Sequence, residues 1–323
     1  MVLIYVDDMV ITGSNAAAVS ALKQHLSSPF HMKDLGHLRY FLGLEVSHTL
    51  AGIFLCQKKY AQDLLKDTKM DHCRALKVPL TPNLKLLYNT GQPLNNPNIF
   101  RRIVGKLTYL SITRPDISFA VQFLSQFMSC PTDAHLKEAF HVLRYLRPTA
   151  EHGVLFSKDS TFQLRAFCDS DWGSCPNSRK SVTGYAILLG KSLISWRSKK
   201  QGVVSRSTAE GEYRTIAVTW CELTWFLALL KDLNVQPTLL VQLYCDNQAA
   251  LHVLHNPVFH ERTKHIEVDC HYVRDKFKAG HICPCYVSSK DQLADLFTKV
   301  VSAGQYLHFL HKLGVVSACQ PPA

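Results

Sequence analysis

The chain has 323 residues, 47% of them hydrophobic and 19% charged, which is the composition of a globular protein with room for more than one hydrophobic core. Lysine and arginine number 36 against 25 aspartates and glutamates, and this excess, spread over both halves, suits a polyanionic partner such as nucleic acid. No apolar run reaches the ~20 residues of a membrane span, and Asp7 and Asp8 interrupt the apolar start too early for a signal peptide. We therefore expect reduced cysteines, a cytoplasmic or nuclear location and no membrane contact.

Residues 1–90 predict strands alternating with helices. The pattern over 2–13 is typical of a β-hairpin with an acidic tip, and Asn15 or Ser14 is placed to cap the helix that follows. A second antiparallel pair is predicted over 38–46 and 52–56, before a helix over 57–69. The prolines of the next stretch indicate a linker.

Helices dominate the prediction for residues 91–160. Pro115 and Pro131 interrupt an apolar periodic pattern and divide it into three helices, over 100–112, 117–128 and 134–146. Residues 148–160 are interpreted as a boundary between domains.

Residues 161–300 predict three strands followed by alternating helices and strands. The first strand ends at Cys168, a long helix spans 207–233, and a further strand ends at Cys245. The pattern then predicts a strand over 281–287 and a helix over 291–300. This order indicates an α/β fold with a mixed sheet flanked by helices. Residues 301–323 are expected to form a C-terminal helix and tail.

Four carboxylates follow these elements at informative places. Asp169 and Asp246 each come directly after a strand, Glu212 lies in the first turns of the long helix, and Asp295 lies on the late helix. Strand ends and helix starts of this kind meet at one edge of a sheet. Oxygen-only ligands suit hard divalent cations, and two such ions ~4 Å apart can clamp both oxygens of a phosphodiester displacement. The sequence therefore predicts a two-metal site that holds Mg²⁺ or Mn²⁺.

Several segments resemble the ribonuclease H domain of copia-type retrotransposon Pol polyproteins. They include Ala166-Phe-Cys-Asp-Ser-Asp-Trp172, Ser205-Arg-Ser-Thr-Ala-Glu-Gly-Glu-Tyr213, Tyr244-Cys-Asp-Asn-Gln-Ala249, Arg262-Thr-Lys-His-Ile266 and Asp291-Gln-Leu-Ala-Asp-Leu-Phe-Thr-Lys299. Near the start, Tyr5-Val-Asp-Asp8 resembles the polymerase signature of reverse transcriptases, and Lys33-Asp-Leu-Gly36 and Thr113-Arg-Pro-Asp-Ile117 resemble segments that follow it in the same family.

The resemblance implies a division of the chain and a function. Residues 1–90 correspond to the end of a truncated reverse-transcriptase palm with its thumb, 91–160 to a helical connection, and 161–300 to a ribonuclease H-like domain. The implied reaction is two-metal hydrolysis of the RNA strand of an RNA–DNA hybrid, with the four carboxylates as metal ligands. The implied partner is this hybrid or another nucleic acid.

Three positions compete with or accompany the chosen acids. Asp171 competes with Asp169 but lies beyond the apolar strand. Glu210 competes with Glu212, and residues two apart on a helix face different directions, so only one of them can face the metals. Asp291 either supports Asp295 from the same helix face or caps that helix.

A set of basic residues surrounds the acids in sequence and is expected to contact the sugar–phosphate backbone. The ordinary alternative is a solvated surface position for the arginines and lysines and a packed position on a helix for His265, but as a group they fit an enzyme that reads shape and 2′-hydroxyls. The set is Arg179, Lys180, Arg197, Lys199, Lys200, Arg206 and His265.

Asp7 and Asp8 form the acidic tip expected of a polymerase metal site. The family's polymerase also uses a third aspartate and a fingers region upstream, which precede this motif, so we expect no DNA synthesis from this chain alone. Two other hypotheses stay open: a catalytically inactive nucleic-acid-binding remnant, and a decayed fragment that does not fold stably.

Overall fold

The structure is a computed structural model that describes residues 1–255 and 267–318. Its described strands form a hairpin and two five-stranded sheets. In chain order the strands are β1 (Val2–Tyr5), β2 (Asp8–Ile11), β3 (Tyr40–Phe41), β4 (Leu44–His48), β5 (Gly52–Cys56), β6 (His152–Ser157), β7 (Gln163–Asp171), β8 (Val182–Leu189), β9 (Ser192–Lys200), β10 (Thr238–Cys245), β11 (Ile282–Tyr286) and β12 (Val315–Ser317). The helices are α1 (Ala16–Ser27), α2 (Lys58–Asp67), α3 (Pro97–Leu110), α4 (Ser118–Ser125), α5 (Asp133–Leu146), α6 (Thr208–Asp232), α7 (Gln248–His255), α8 (Glu267–Lys278) and α9 (Ala303–Lys312).

The larger mixed sheet has the strand order β11-β10-β7-β8-β9. β7, β8 and β9 pair antiparallel, whereas β10 runs parallel to β7 and β11 runs parallel to β10. The long helix α6 lies between β9 and β10 in the chain, because a parallel return needs a crossover connection. Ser207 caps α6 by accepting a hydrogen bond from the backbone of Glu210. The expectation of a ribonuclease H-like mixed sheet flanked by helices is confirmed.

The second sheet has the order β12-β6-β5-β4-β3, with all neighbours antiparallel. Its inner strand β6 lies inside the stretch 148–160 that the sequence suggested as a boundary. The apolar run from Val154 to Phe156 forms this strand. It pairs with β5 on one side and with β12 on the other. Both partners are distant in the sequence, so no local pattern announces the pairing.

Apolar side chains cover both faces of the mixed sheet. On one face α6 buries Tyr213, Ile216 and Trp220 against the strands. On the other face a larger cluster joins helices α2 to α5 and α9 to β8, for example through Leu107 and Leu188. The strands are therefore held between two helical layers. Within the described residues, no helix is long and apolar enough to cross a bilayer.

The β1–β2 hairpin stands apart from both sheets, and its apolar side chains Val2, Leu3, Ile4 and Tyr5 are exposed. The predicted hairpin is confirmed by four paired positions, from Val2 with Ile11 to Tyr5 with Asp8. Helix α1 follows, and the side chain of Asn15 is its cap.

A buried ion pair joins the helices to the second sheet. The Arg114 guanidinium lies 2.6 Å from the Asp116 carboxylate, and both side chains are almost fully buried. Arg114 also donates to the carbonyl oxygen of Thr149 at 2.7 Å, and the Tyr145 hydroxyl donates to Asp116. Burial alone would raise the pKa of Asp116, but Arg114 outweighs it and holds that pKa below its ordinary value.

We expect Asp116→Asn to destabilise the protein by about 3–5 kcal/mol, because it leaves the Arg114 charge buried without a counter-ion. Thermal and urea denaturation of the purified chain measure the effect. The matched control is Asp67→Asn, which breaks a surface pair with Lys106 and should change the melting temperature little. Equal melting temperatures for Asp116→Asn and wild type would contradict this expectation.

Candidate metal-binding site

Two of the four acids are placed by adjacent strands. Asp169 lies near the carboxyl end of β7, and Asp246 directly follows β10. These strands are parallel neighbours, so their carboxyl ends reach the same edge of the mixed sheet. The Ser289 hydroxyl donates to Asp246 at 2.8 Å and fixes the orientation of that carboxylate.

Glu212 reaches the same edge from the first turns of α6. Its carboxylate accepts a hydrogen bond from the backbone N–H of Ser170 at 3.1 Å. The preceding Gly211 allows this approach, since a Cβ there would lie only 2.9 Å from the Ser170 hydroxyl oxygen. Helix α6 can therefore lie close against β7 where Glu212 is needed.

Asp295 is carried by a short 3₁₀ turn, Leu293–Phe297, and the expectation of a helix over 291–300 is wrong. The Gln292 side chain accepts from the backbone of Ala294 and donates to the carbonyl oxygen of Cys168 at 2.9 Å, which ties the turn to β7. The turn also rests on Gly184 of β8, where a Cβ would lie 2.5 Å from the Thr298 side chain. Tertiary contacts, rather than helix propagation, therefore set the position of Asp295.

The four acids form two overlapping groups. Ligand atoms of Asp169, Asp246 and Asp295 lie within 4.8 Å of one another, and those of Glu212, Cys245 and Asp246 do likewise. The first group offers oxygen alone, which is the donor set that Mg²⁺ and Mn²⁺ prefer. Asp246 belongs to both groups, and a carboxylate with two oxygens can serve two neighbouring ions. The residues present thus fit a divalent metal site.

Burial makes this cluster costly to ionise. Asp169, Glu212 and Asp295 are only 3%, 4% and 3% exposed. Burial raises the pKa of all three carboxyl groups, and the neighbouring acids add to the effect. For Asp295 the pKa rises to about 7. Without a metal, the site therefore retains protons at a pH where an ordinary aspartate has lost them.

Two further side chains contact the acids, and the sequence reasoning assigned neither of them a role. The Lys299 ammonium lies 2.9 Å from a carboxylate oxygen of Asp295 and 3.8 Å from one of Asp169. The Thr298 hydroxyl donates to Asp169. Burial opposes the charge on Lys299, but Asp169 and Asp295 outweigh it and raise the pKa of the ammonium group. The four-residue spacing between Asp295 and Lys299 was the available signal.

The competing acids have other partners in the structure. Glu210 accepts from the backbone of Arg206 and forms an ion pair with Arg214 at 3.1 Å. Asp291 accepts from Ser288 and pairs with Lys312, so it neither caps a helix nor contacts Asp295 in the way expected. Asp171 lies at the end of β7, and burial raises its pKa, but among the described residues it is not in either ligand group.

The predicted basic residues divide by exposure. Arg179, Arg197, Lys199 and Arg206 are exposed. The ammonium groups of Lys180 and Lys200 instead bind the carbonyl oxygen of Gly202 and the side chain of Gln126. His265 lies outside the described residues.

Asp7 and Asp8 lie exposed at the hairpin tip. Among the described residues, the groups of potential metal ligands occur at the edge of the mixed sheet, and none includes either aspartate. The structure therefore brings no third acid to the hairpin within the part of the chain that it describes.

Comparison with known proteins gives three kinds of likeness. Residues 1–82 match the family model described as reverse transcriptase (RNA-dependent DNA polymerase). The chain is 42% identical to the retrovirus-related Pol polyprotein from transposon RE1 of Arabidopsis thaliana, over 99% of this chain and 22% of that protein. It is 32% identical to a protein assigned to transposon Ty5-1 of Saccharomyces cerevisiae, over 69% of this chain and 73% of that protein.

Among solved structures, the ribonuclease H1 LC11, isolated from compost by a metagenomic approach, is similar with a TM-score of 0.34 and 13% identity. The likeness covers 43% of this chain and 94% of that one. The chain spans about a fifth of the length of the Pol polyprotein that it matches.

The raised pKa of Asp295 predicts a pH-dependent stability in the metal-free protein. Because the folded pKa of about 7 lies above the ordinary value of 3.8, the folded state binds a proton here that the unfolded chain has released. This contribution to the free energy of unfolding is full below the ordinary pKa and is lost as the pH rises through about 7. Because asparagine does not ionise, we expect Asp295→Asn to remove this loss. The melting temperature of the variant minus that of wild type, measured in EDTA, should therefore rise from about pH 5 to about pH 8.

The control for this measurement is Asp291→Asn. Ser288 and Lys312 lower the pKa of Asp291, so its contribution is lost only at more acidic pH, and its difference from wild type should stay constant over the same range. A constant difference for Asp295→Asn as well would show that the expectation is wrong.

Proposed function

We propose that this chain is a metal-dependent ribonuclease H that hydrolyses the RNA strand of RNA–DNA hybrids. The chain belongs to the copia-type retrotransposon Pol polyproteins. The observation that carries the proposal is the convergence of Asp169, Glu212, Asp246 and Asp295 at one edge of the mixed sheet. Buried acids repel one another, so a fold that gathers them without a cation has no structural gain from doing so.

Asp169, Asp246 and Asp295 would hold one divalent ion, and Glu212 with Asp246 would hold a second. Mg²⁺ and Mn²⁺ both suit these ligands. Ions bound there supply an activated water and a neutralised leaving oxygen for phosphodiester hydrolysis.

The residues of the chain prepare the site in two ways. The Ser170 backbone and the Ser289 hydroxyl hold Glu212 and Asp246 in fixed orientations, which limits the reorganisation needed on binding. The raised pKa values of Glu212 and Asp295 mean that these two carboxyl groups release protons when a metal binds. Metal binding is therefore expected to strengthen towards alkaline pH.

The proposed substrate contacts extend from the acids along β9. Arg197 lines a groove of about 530 Å³ between α3, α4 and β9, together with the hydroxyls of Ser111, Ser125 and Ser198. Positive charge and hydroxyl groups suit the phosphates and 2′-hydroxyls of an A-form-like duplex. Arg179, Lys199 and Arg206 are the other exposed cations that we assign to this contact.

We expect the purified chain to cut a labelled RNA–DNA hybrid with Mg²⁺ or Mn²⁺, and Asp246→Asn to reduce the rate about a hundredfold or more because Asp246 serves both ligand groups. Glu212→Gln should do the same. Its matched control is Glu210→Gln, which removes a buried acid of the same helix that pairs with Arg214 instead.

The outcomes separate the hypotheses. Cutting that Glu210→Gln abolishes and Glu212→Gln spares would overturn the ligand assignment. A cooperatively melting protein that binds the hybrid but cuts it with neither metal would instead favour a non-catalytic nucleic-acid-binding remnant.

The hairpin acids lead to a separate expectation. Because no third acid approaches Asp7 and Asp8 among the described residues, we expect this chain alone to incorporate no labelled dTTP on poly(rA)/oligo(dT). Incorporation by wild type that Asp8→Asn removes would contradict this.

A further inference from the structure

A lysine side chain occupies the acidic edge. The Lys299 ammonium lies 2.9 Å from Asp295 and 3.8 Å from Asp169, and these two carboxylates are ligands of the same proposed ion. Both acids are buried, whereas the lysine side chain is 37% exposed. The ammonium therefore lies at the rim of the site with its charge directed at the metal ligands.

The backbone around Lys299 holds it there. Its N–H donates to the carbonyl oxygen of Asp295 at 3.1 Å, and the neighbouring Thr298 is fully buried with its hydroxyl on Asp169. Because the main chain is fixed, the flexible side chain alone decides where the ammonium lies. The exposed side gives it room to leave.

We infer that Lys299 is a tethered counter-ion of the metal-free site, and that a divalent ion must displace its ammonium from Asp169 and Asp295 before both carboxylates can bind the ion. This inference rests on the proposed metal site. An ammonium and a divalent ion compete for the same oxygens, and two buried carboxylates require a cation nearby at neutral pH. Lys299 thus stabilises the empty site and weakens the affinity of the site for metal.

Another lysine of the chain shows the ordinary case. Lys312 pairs with Asp291 at 3.2 Å, but the Lys312 side chain is 40% exposed and the Asp291 side chain 41% exposed. Asp291 is not in either group of potential ligands among the described residues. Lys312 is therefore a matched control of the same residue type and pairing, without a place at the metal ligands.

The first experiment measures Mn²⁺ binding by calorimetry to the full chain. We expect Lys299→Met to bind Mn²⁺ about tenfold more tightly than wild type, because the competing cation is gone. Lys299→Arg keeps the charge and should stay near wild type, as should Lys312→Met. In EDTA the melting temperature of Lys299→Met should fall by about 5 °C relative to Lys312→Met, and Mn²⁺ should remove this difference.

A second measurement uses wild type alone and does not depend on the folding of a variant. Acetylation of Lys299 by acetic anhydride, followed by mass spectrometry, should rise several-fold when Mg²⁺ is added, because the displaced ammonium becomes free. Acetylation of Lys312 should not change.

Each outcome decides a separate question. Absence of Mn²⁺ binding to wild type and all variants would contradict the proposed metal site itself. Binding to wild type with equal or lower affinity in Lys299→Met, or acetylation of Lys299 that Mg²⁺ leaves unchanged or lowers, would overturn the counter-ion role while the metal site stands.

Discussion

The buried pair of Arg114 and Asp116 links the helices and the second sheet to the turn that carries Asp295. The backbone carbonyl oxygen of Asp116 accepts a hydrogen bond from the Tyr306 hydroxyl of α9 at 3.0 Å. The Arg114 side chain donates to Thr149 in the turn before β6, and the Asp116 carboxylate accepts from Tyr145 of α5. Asp116, Leu296 and Lys299 line the same small cavity, so Asp116 lies beside the turn that carries Asp295. Two charges removed from water stabilise this place only when every donor and acceptor is satisfied. Here the carbonyl oxygen of Thr149 accepts from Arg114 and the hydroxyl of Tyr145 donates to Asp116. The turn that carries Asp295 therefore packs beside a well-ordered ion pair.

The acidic edge itself works against stability. Three carboxyl groups are almost fully buried, and their pKa values are raised first by the loss of water and then by repulsion from the neighbouring acids. The chain offsets the cost with a polar contact at every acid: the Ser170 backbone N–H at Glu212, the Ser289 hydroxyl at Asp246, the Thr298 hydroxyl at Asp169, and the Lys299 ammonium at Asp295. The helical layers on both faces of the mixed sheet supply the remaining stability. An electrostatically costly site supported by a well-packed core is the arrangement expected of the proposed metal site.

Sequence patterns predicted those features that local chemistry determines. The strands before Asp169 and Asp246 are apolar runs that end in an acid, and the helical phase separates Glu212 from Glu210. The features that sequence patterns missed depend on distant contacts. β6 needs partners from both ends of the chain, and the turn at Asp295 needs Gly184 and Gln292 to hold it on β7 and β8. Exposure is equally non-local, which is why Lys180 and Lys200 could not be separated from Arg197 and Lys199 before their partners were known.

Hydrogen bonds also join the helical connection, predicted over residues 91–160, to strand β9, where the proposed nucleic-acid contact lies. Trp196 of β9 donates to the carbonyl oxygen at Ser111, just after α3, and Lys200 of the same strand donates to Gln126 at the end of α4. These bonds fix the distance between the helices and the edge strand, so the groove beside Arg197 has a rigid wall on each side. In the proposed reaction, a duplex that follows this groove would contact both the helices and the sheet. Because the acids lie across the sheet from β9, beyond β8, the helical segment would then help to set which phosphodiester reaches them, so its packing would serve substrate positioning as well as stability.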